Sequence, residues 1–286
     1  VVVDKPAGWT SHDVVAKSRG LLGTRKVGHA GTLDPDATGV LLLGVGRATK
    51  LLRYLSPLGK SYVGEVVLGV ETSTLDASGE VTATHSMPTF TVAEVAAGAA
   101  RFVGAIEQVP PMVSAVKVGG RRLHELARQG IEVERAPRPV TIHALDVSPG
   151  PVGEPSVFTL AVTCSSGTYI RTLAADLGTA LGGGAHLRNL RRTAVGPFTL
   201  DEAVPLDAVS PDVVRPLADA VAHLPSVVVD GPQVALVAQG RVFERAELGV
   251  PGGDGPWAVV DPEGDLLAVY EPFRGQTVKP SVVLVR

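Results

Sequence analysis

Residues 28–39 read Gly28-His29-Ala30-Gly31-Thr32-Leu33-Asp34-Pro35-Asp36-Ala37-Thr38-Gly39, two carboxylates in a segment punctuated by three glycines and a proline. Glycine opens backbone angles closed to other residues and lets another molecule approach closely; Pro35 stiffens the chain and disfavours helical geometry at Asp34. The spacing predicts an ordered loop presenting one acid. An isolated Asp-Pro reads as a turn aspartate bonding its own backbone. Two acids this close also suit a metal-dependent nuclease or a glycosidase, yet no other clustered ligands accompany them, and the single cysteine, Cys164, supplies neither a disulfide framework nor a multi-cysteine zinc site.

Five further segments follow the spacing of a single pattern. Asp4-Lys5-Pro6-Ala7-Gly8-Trp9-Thr10-Ser11 opens the chain, and Lys60-Ser61-Tyr62 leads through Leu68-Gly69 to Thr72, Thr74, Asp76 and Gly79. Gln108-Val109-Pro110-Pro111-Met112-Val113-Ser114-Ala115-Val116-Lys117 runs to Gly120-Arg121, then come Ser166-Gly167-Thr168-Tyr169-Ile170-Arg171 and Leu190-Arg191-Arg192-Thr193 with Gly196 and Phe198. With residues 28–39 these ordered segments resemble the TruB-type tRNA pseudouridine synthases, whose signature contains G-H-x-G-x-L-D-P-x-A-x-G-x-L.

The resemblance implies an enzyme that turns the T-loop uridine of tRNA, conventionally position 55, into pseudouridine. The N1 to C1′ bond breaks, the base turns, and C5 rejoins C1′. Asp34 is then the catalytic nucleophile, and whether it attacks C1′ or removes the 2′ proton is open; both routes need it charged. Arg171 is its implied ion-pair partner, Tyr62 stacks on the uracil, Tyr169 takes the final proton, and Leu190 walls the pocket. His29 fills the vacancy left by the flipped base. Asp76 is a weaker pocket candidate and Asp36 a solvated residue. Lys117, Arg121, Arg122 and Arg128 are implied phosphate contacts. The resemblance further implies no metal and no organic cofactor, a tRNA partner recognised at its T-arm stem-loop, and no obligatory protein partner or guide RNA, in contrast to dyskerin-type relatives. RNA binding without catalysis, as in a tRNA-folding chaperone, is the competing class; it would survive Asp34→Asn unchanged.

Charge supports an RNA partner only locally. The chain's 26 Lys and Arg against 29 Asp and Glu give −3 overall, but residues 117–138 hold six basic residues against three acids. Arg188, Arg191 and Arg192 follow with no acid between 184 and 192, whereas residues 226–286 hold five basic residues against eight acids. Phosphate contacts therefore belong to the larger part of the chain. The 286 residues, 45% hydrophobic, suit one large domain and one small one. Neither a secretory leader nor an apolar run of membrane-spanning length is evident, so the expectation is a cytoplasmic protein without a membrane partner.

The elements that must position these residues follow from patterning. Thr10 or Ser11 caps an amphipathic helix to Leu22, with Asp13 in its first turn. Val40–Gly46 reads as an apolar strand or helix start; Tyr62–Leu68 and Phe158–Cys164 read as strands; Thr91–Phe102 and Thr172–Leu181 read as helices. Arg171 follows a strand-like stretch. Strands and helices alternate without a βαβ rhythm, predicting an α+β fold. The resemblance sharpens this to a pseudouridine synthase fold, a mixed central sheet flanked by helices. Residues 1–224 form the catalytic domain, with 117–138 as its basic RNA-binding insertion. Residues 225–286 form a small PUA-like β-domain. Its short strands include Val234–Val237, and Gly249–Gly255 forms a hairpin loop.

Overall fold

The computed structural model describes residues 1–114 and 116–285, and of Lys117, Arg122 and His124 the backbone alone. Its main sheet has ten strands. Eight run in the order Val204–Pro205, Val2–Lys5, Thr38–Val45, Ala185–Val195, Lys60–Leu68, Val157–Cys164, Arg138–Pro149 and Gly104–Gln108. The sheet is mixed: Val2–Lys5 with Val204–Pro205 and Thr38–Val45 with Ala185–Val195 pair parallel, the rest antiparallel. A separate five-stranded sheet is built from strands after Ser226. The fold is α+β.

Helices cover the main sheet with the faces their apolar spacing predicts. Leu173, Ala174 and Leu177 of helix Ile170–Ala180 pack with Val66, Leu160, Val162 and Leu187. Val14 and Val15 of helix Ser11–Leu21 pack with Val3, Leu41 and Leu43. Thr10 caps the latter through a reciprocal bond with Asp13, a device that stabilises by about 1 kcal/mol. Strand Lys60–Leu68 alternates, so Lys60, Tyr62, Gly64, Val66 and Leu68 share the buried face. Cys164 ends its strand fully buried.

Three local expectations are corrected. Arg171 lies in the first turn of a helix, because Ile170, Arg171, Leu173, Ala174 and Leu177 bury at helical spacing and the preceding Ser166-Gly167 turn ends the extended stretch. Val234–Val237 belongs to helix Gly231–Ala238; four apolar residues in a row do not distinguish a strand from a short helix, and Pro232 stands in its first turn. Gly249–Gly255 joins helix Arg245–Leu248 to strand Trp257–Val260 and is no hairpin; Gly249 takes φ 72° to end the helix.

Candidate active site

The opening segment clamps the aspartate loop. Ser11, buried at the start of its helix, accepts from the Leu33 N–H at 2.9 Å and donates to the Leu33 carbonyl at 3.2 Å. The Pro35 carbonyl accepts from the Gly8 N–H at 3.0 Å and from the Lys5 ammonium at 2.8 Å. Lys5 is fully buried, and its other donors meet the carbonyls of Pro6 and Trp9 at 2.9 and 2.6 Å. Burial lowers its pKa to about 8. Asp34 is thus held by its neighbours' backbone on both sides. Its loop is shorter than the sequence pattern suggests: Gly28 and His29 lie in strand Val27–Ala30, and Gly39 in strand Thr38–Val45. A Cβ at Gly39 would stand 2.1 Å from the Arg192 carbonyl, so only glycine lets these strands meet.

Arg171, 4% exposed, faces Asp34 with Nε 3.0 Å from Oδ2 and Nη2 3.3 Å from Oδ1. It also donates to the carbonyls of Thr74 and Val113 at 2.9 and 2.8 Å, and Nη1 lies 3.4 Å from Asp76 Oδ2. The other Asp76 oxygen accepts from the Thr74 and Ser78 hydroxyls, both at 2.6 Å, and from the Ser78 N–H at 3.1 Å. The Asp34 side chain keeps 41% of its surface open, toward cavities on either side. Enclosure by the surrounding loops raises its pKa; Arg171 works against this, and Asp76 adds to it.

Two cavities meet at this pair. One, of about 390 Å³, is lined by Asp36, Thr74, Asp76, Ser78 and Asn189; the other, of about 360 Å³, by Lys60, Tyr62, Thr168, Tyr169 and Arg192; Asp34, Arg171 and Leu190 line both. Leu190 reaches them through a bulge: the register of Ala185–Val195 against Lys60–Leu68 shifts between Arg188 and Arg191, and Asn189 takes φ 52°. Tyr62 is buried, which raises its hydroxyl pKa, and Arg192 works against this. Tyr169 caps its helix without a side-chain bond of its own; the buried Gln108 amide instead accepts from its N–H at 3.0 Å and donates to its carbonyl at 3.3 Å.

The other expected residues lie apart. His29 lines neither cavity; its ring meets His12 edge-on, centroids 5.2 Å apart, and burial followed by His12 and Arg192 lowers its pKa. Arg121 is exposed and donates to Gln129 at 2.7 Å, and Arg128 is exposed just beyond helix Leu123–Ala127. The side chains of Lys117 and Arg122, and Ala115 of the third segment, lie outside the described residues. Sequence reasoning missed Lys5, Lys60 and Arg192 as buried cations. Lys5 and Lys60 stand at the ends of their strands and Arg192 beside Arg188 and Arg191, so their charge reads first as a solvated face. Among the described residues no group of three His, Cys, Asp or Glu could hold a metal ion, and no helix is long and apolar enough to cross a membrane.

Comparison with known proteins accounts for this arrangement. The chain is 45% identical to tRNA pseudouridine synthase B of Shouchella clausii, over 99% of this chain and 97% of the relative. It is 49% identical to the Streptomyces coelicolor protein of that name, over 96% and 94%. Its fold matches a chain of a Cbf5-Nop10-Gar1 complex with TM-score 0.77 and 27% identity, covering all of this chain and 85% of the other. The family model for the N-terminal domain of TruB family pseudouridylate synthase matches residues 19–170, and that for the tRNA pseudouridylate synthase B C-terminal domain matches 171–222. With a geometry that sets one arginine-held carboxylate between two cavities, the chain belongs to the TruB family of pseudouridylate synthases.

Proposed function

We propose that this chain isomerises the T-loop uridine of tRNA at position 55 to pseudouridine, with Asp34 as the group that acts on the sugar. The observation that carries the reading is the two-point contact of Arg171 with Asp34 where the two cavities meet. A uracil extruded from the T-arm enters the cavity of Tyr62, Tyr169 and Leu190, stacks on Tyr62 and rests against Leu190. Asp34 then lies beside C1′ and C2′ of its ribose, and the guanidinium favours the carboxylate form. After cleavage the base turns, C5 joins C1′, and the Tyr169 hydroxyl removes the C5 proton. His29, outside both cavities, is the side chain that fills the gap left in the RNA stack. The reaction is an isomerisation with no net redox change.

Residues 1–224 form the catalytic unit in this reading, 117–138 its phosphate-binding insertion and 225–286 a PUA-like domain. The enzyme works in the cytoplasm on tRNA without guide RNA or protein partner. The test is pseudouridine mapping at nucleotide resolution in a tRNA transcript, with Asp34→Asn beside the wild type. The amide keeps the shape and loses the charge, so a rate loss of about a thousandfold or more is expected with tRNA affinity kept. A purified Asp34→Asn enzyme turning over at a substantial rate would refute the assignment.

A further inference from the structure

Two buried cations beneath the uracil cavity have no acid to hold them among the described residues. Lys60 is 7% exposed and Arg192 1%, and both line the cavity that Asp34 and Tyr62 share. Strand alternation sends Lys60 to the same face as Tyr62. Its ammonium donates to the carbonyls of Ser56 and Leu58, each at 2.6 Å; an ammonium has three donors, and no partner for the third is found among the described residues. Arg192 directs its guanidinium to the carbonyls of Val40, Thr32 and Gly31. A Cβ built on Gly31 would meet Arg192 Nη1 at 3.6 Å and Lys60 Cε at 3.7 Å, so both cations border one glycine three residues before Asp34. Carbonyl dipoles offset part of the desolvation without neutralising the charge. Burial, with Arg192 adding to it, lowers the Lys60 pKa to about 8. Leaving charge buried and unpaired destabilises a fold, so its retention twice in one cavity calls for an anion.

The charge balance of the reaction supplies one, an argument that rests on the isomerisation proposed above. When the C1′–N1 bond breaks, its electron pair goes to N1 and the base separates as a uracil anion. Asp34 becomes neutral in the same step, as an ester if it attacks C1′ or as an acid if it takes the 2′ proton. On either route one negative charge leaves the carboxylate that Arg171 holds and appears on the base. When C5 attacks C1′, Asp34 recovers its charge; the C5 proton then leaves and N1 gains one. We propose that Lys60, backed by Arg192, stabilises the detached uracil anion and is a catalytic residue of this chain beside Asp34 and Arg171. A cation without a ground-state counter-ion is matched to charge that exists only once the bond is breaking.

The test compares two bases at the target position of full-length tRNA under single-turnover conditions, uridine and 5-fluorouridine, whose fluorine makes the N1 anion intrinsically more stable; because the fluorinated base has no C5 proton to lose after rejoining, the rate followed on both is loss of the N1-linked nucleoside. Lys60→Met is expected to lose roughly a hundredfold in rate on uridine, the scale of removing one preorganised donor, with tRNA affinity nearly unchanged. On 5-fluorouridine the loss should shrink about tenfold or more, since a better leaving group needs less help. Equal losses on both bases, or an unimpaired Lys60→Met enzyme, overturn the proposal. Should Lys60→Met not fold, Lys60→Arg carries the test. It keeps the charge, so its preference between the two bases should match the wild type, and a strongly raised preference for 5-fluorouridine overturns the proposal. A wild-type enzyme forming no pseudouridine would sink the proposed function itself, a result distinct from either of these.

Discussion

Arg171 and Asp34 meet side by side, two guanidinium nitrogens on two carboxylate oxygens at 3.0 and 3.3 Å. The same guanidinium donates to the carbonyls of Thr74 and Val113 and lies 3.4 Å from Asp76 Oδ2, around a side chain 4% exposed. The arginine therefore fixes three chain segments at once: the aspartate loop, the Thr74–Ser78 turn and the stretch through Val113. A single buried cation is both the counter-ion of the reacting acid and the hub of its surroundings.

Arg171→Lys should be severely impaired although the charge is kept. Lysine offers a point charge on three donors and cannot present a planar fork to both Asp34 oxygens while reaching Thr74 and Val113. A fall of about two powers of ten or more in single-turnover rate is expected. Near-wild-type turnover would mean that the two-point contact is incidental.

The acid limb of the pH–rate profile gives a second check. Burial raises the Asp34 pKa above its ordinary 3.8, with Arg171 and Lys5 opposing and Asp76 and Asp36 reinforcing the rise. Because the reaction needs the carboxylate, the rate should fall with decreasing pH sooner than for an ordinary aspartate. Asp76→Asn removes a like charge and frees more of Arg171 for Asp34, so both effects lower the Asp34 pKa. The limb should move to lower pH, whatever the change in maximal rate. A limb that stays fixed or moves upward would show that Asp76 does not reach Asp34 electrostatically.

The sequence made some of this site legible and hid the rest for identifiable reasons. The ordered segments pointed to Asp34, Arg171, Tyr62, Tyr169 and Leu190, and the structure gathers these five around shared cavities. Alternation and capping likewise gave strand Lys60–Leu68 and helix Ser11–Leu21 to within two residues. Long-range pairing supplied what local pattern lacked. The bulge at Asn189 exists only against its neighbouring strand, and a Cβ on Gly64 there would stand 3.2 Å from Leu190. Lys5, Lys60 and Arg192 are held by backbone carbonyls, and a carbonyl leaves no mark in composition. His29 shows the converse: its motif position is clear, yet it lies beside His12 outside both cavities, because strand Val27–Ala30 and not the loop carries it.

RNA affinity should reside mainly in the basic insertion. Residues 117–138 carry six basic residues against three acids, and Arg121 and Arg128 are exposed with no carboxylate partner among the described ion pairs. The C-terminal segment carries five against eight, yet it presents one rival surface, the exposed Phe273 ring with Arg274 and Lys279 each 5.0 Å from its centre. Deleting that segment would be a poor comparison, since Leu51 and Val221 pack against Ala258, Val269 and Leu284 and would be bared. Point substitutions avoid this. Replacing Arg121, Arg122 and Arg128 by alanine should weaken tRNA binding and flatten its salt dependence by up to about three units of slope, because fewer counterions are released. Replacing Arg274 and Lys279 by alanine should leave both quantities nearly unchanged. If the second pair of substitutions lowers affinity and salt slope while the first three leave them intact, recognition lies in the acidic segment, and local charge balance is the wrong guide to where this chain holds its RNA.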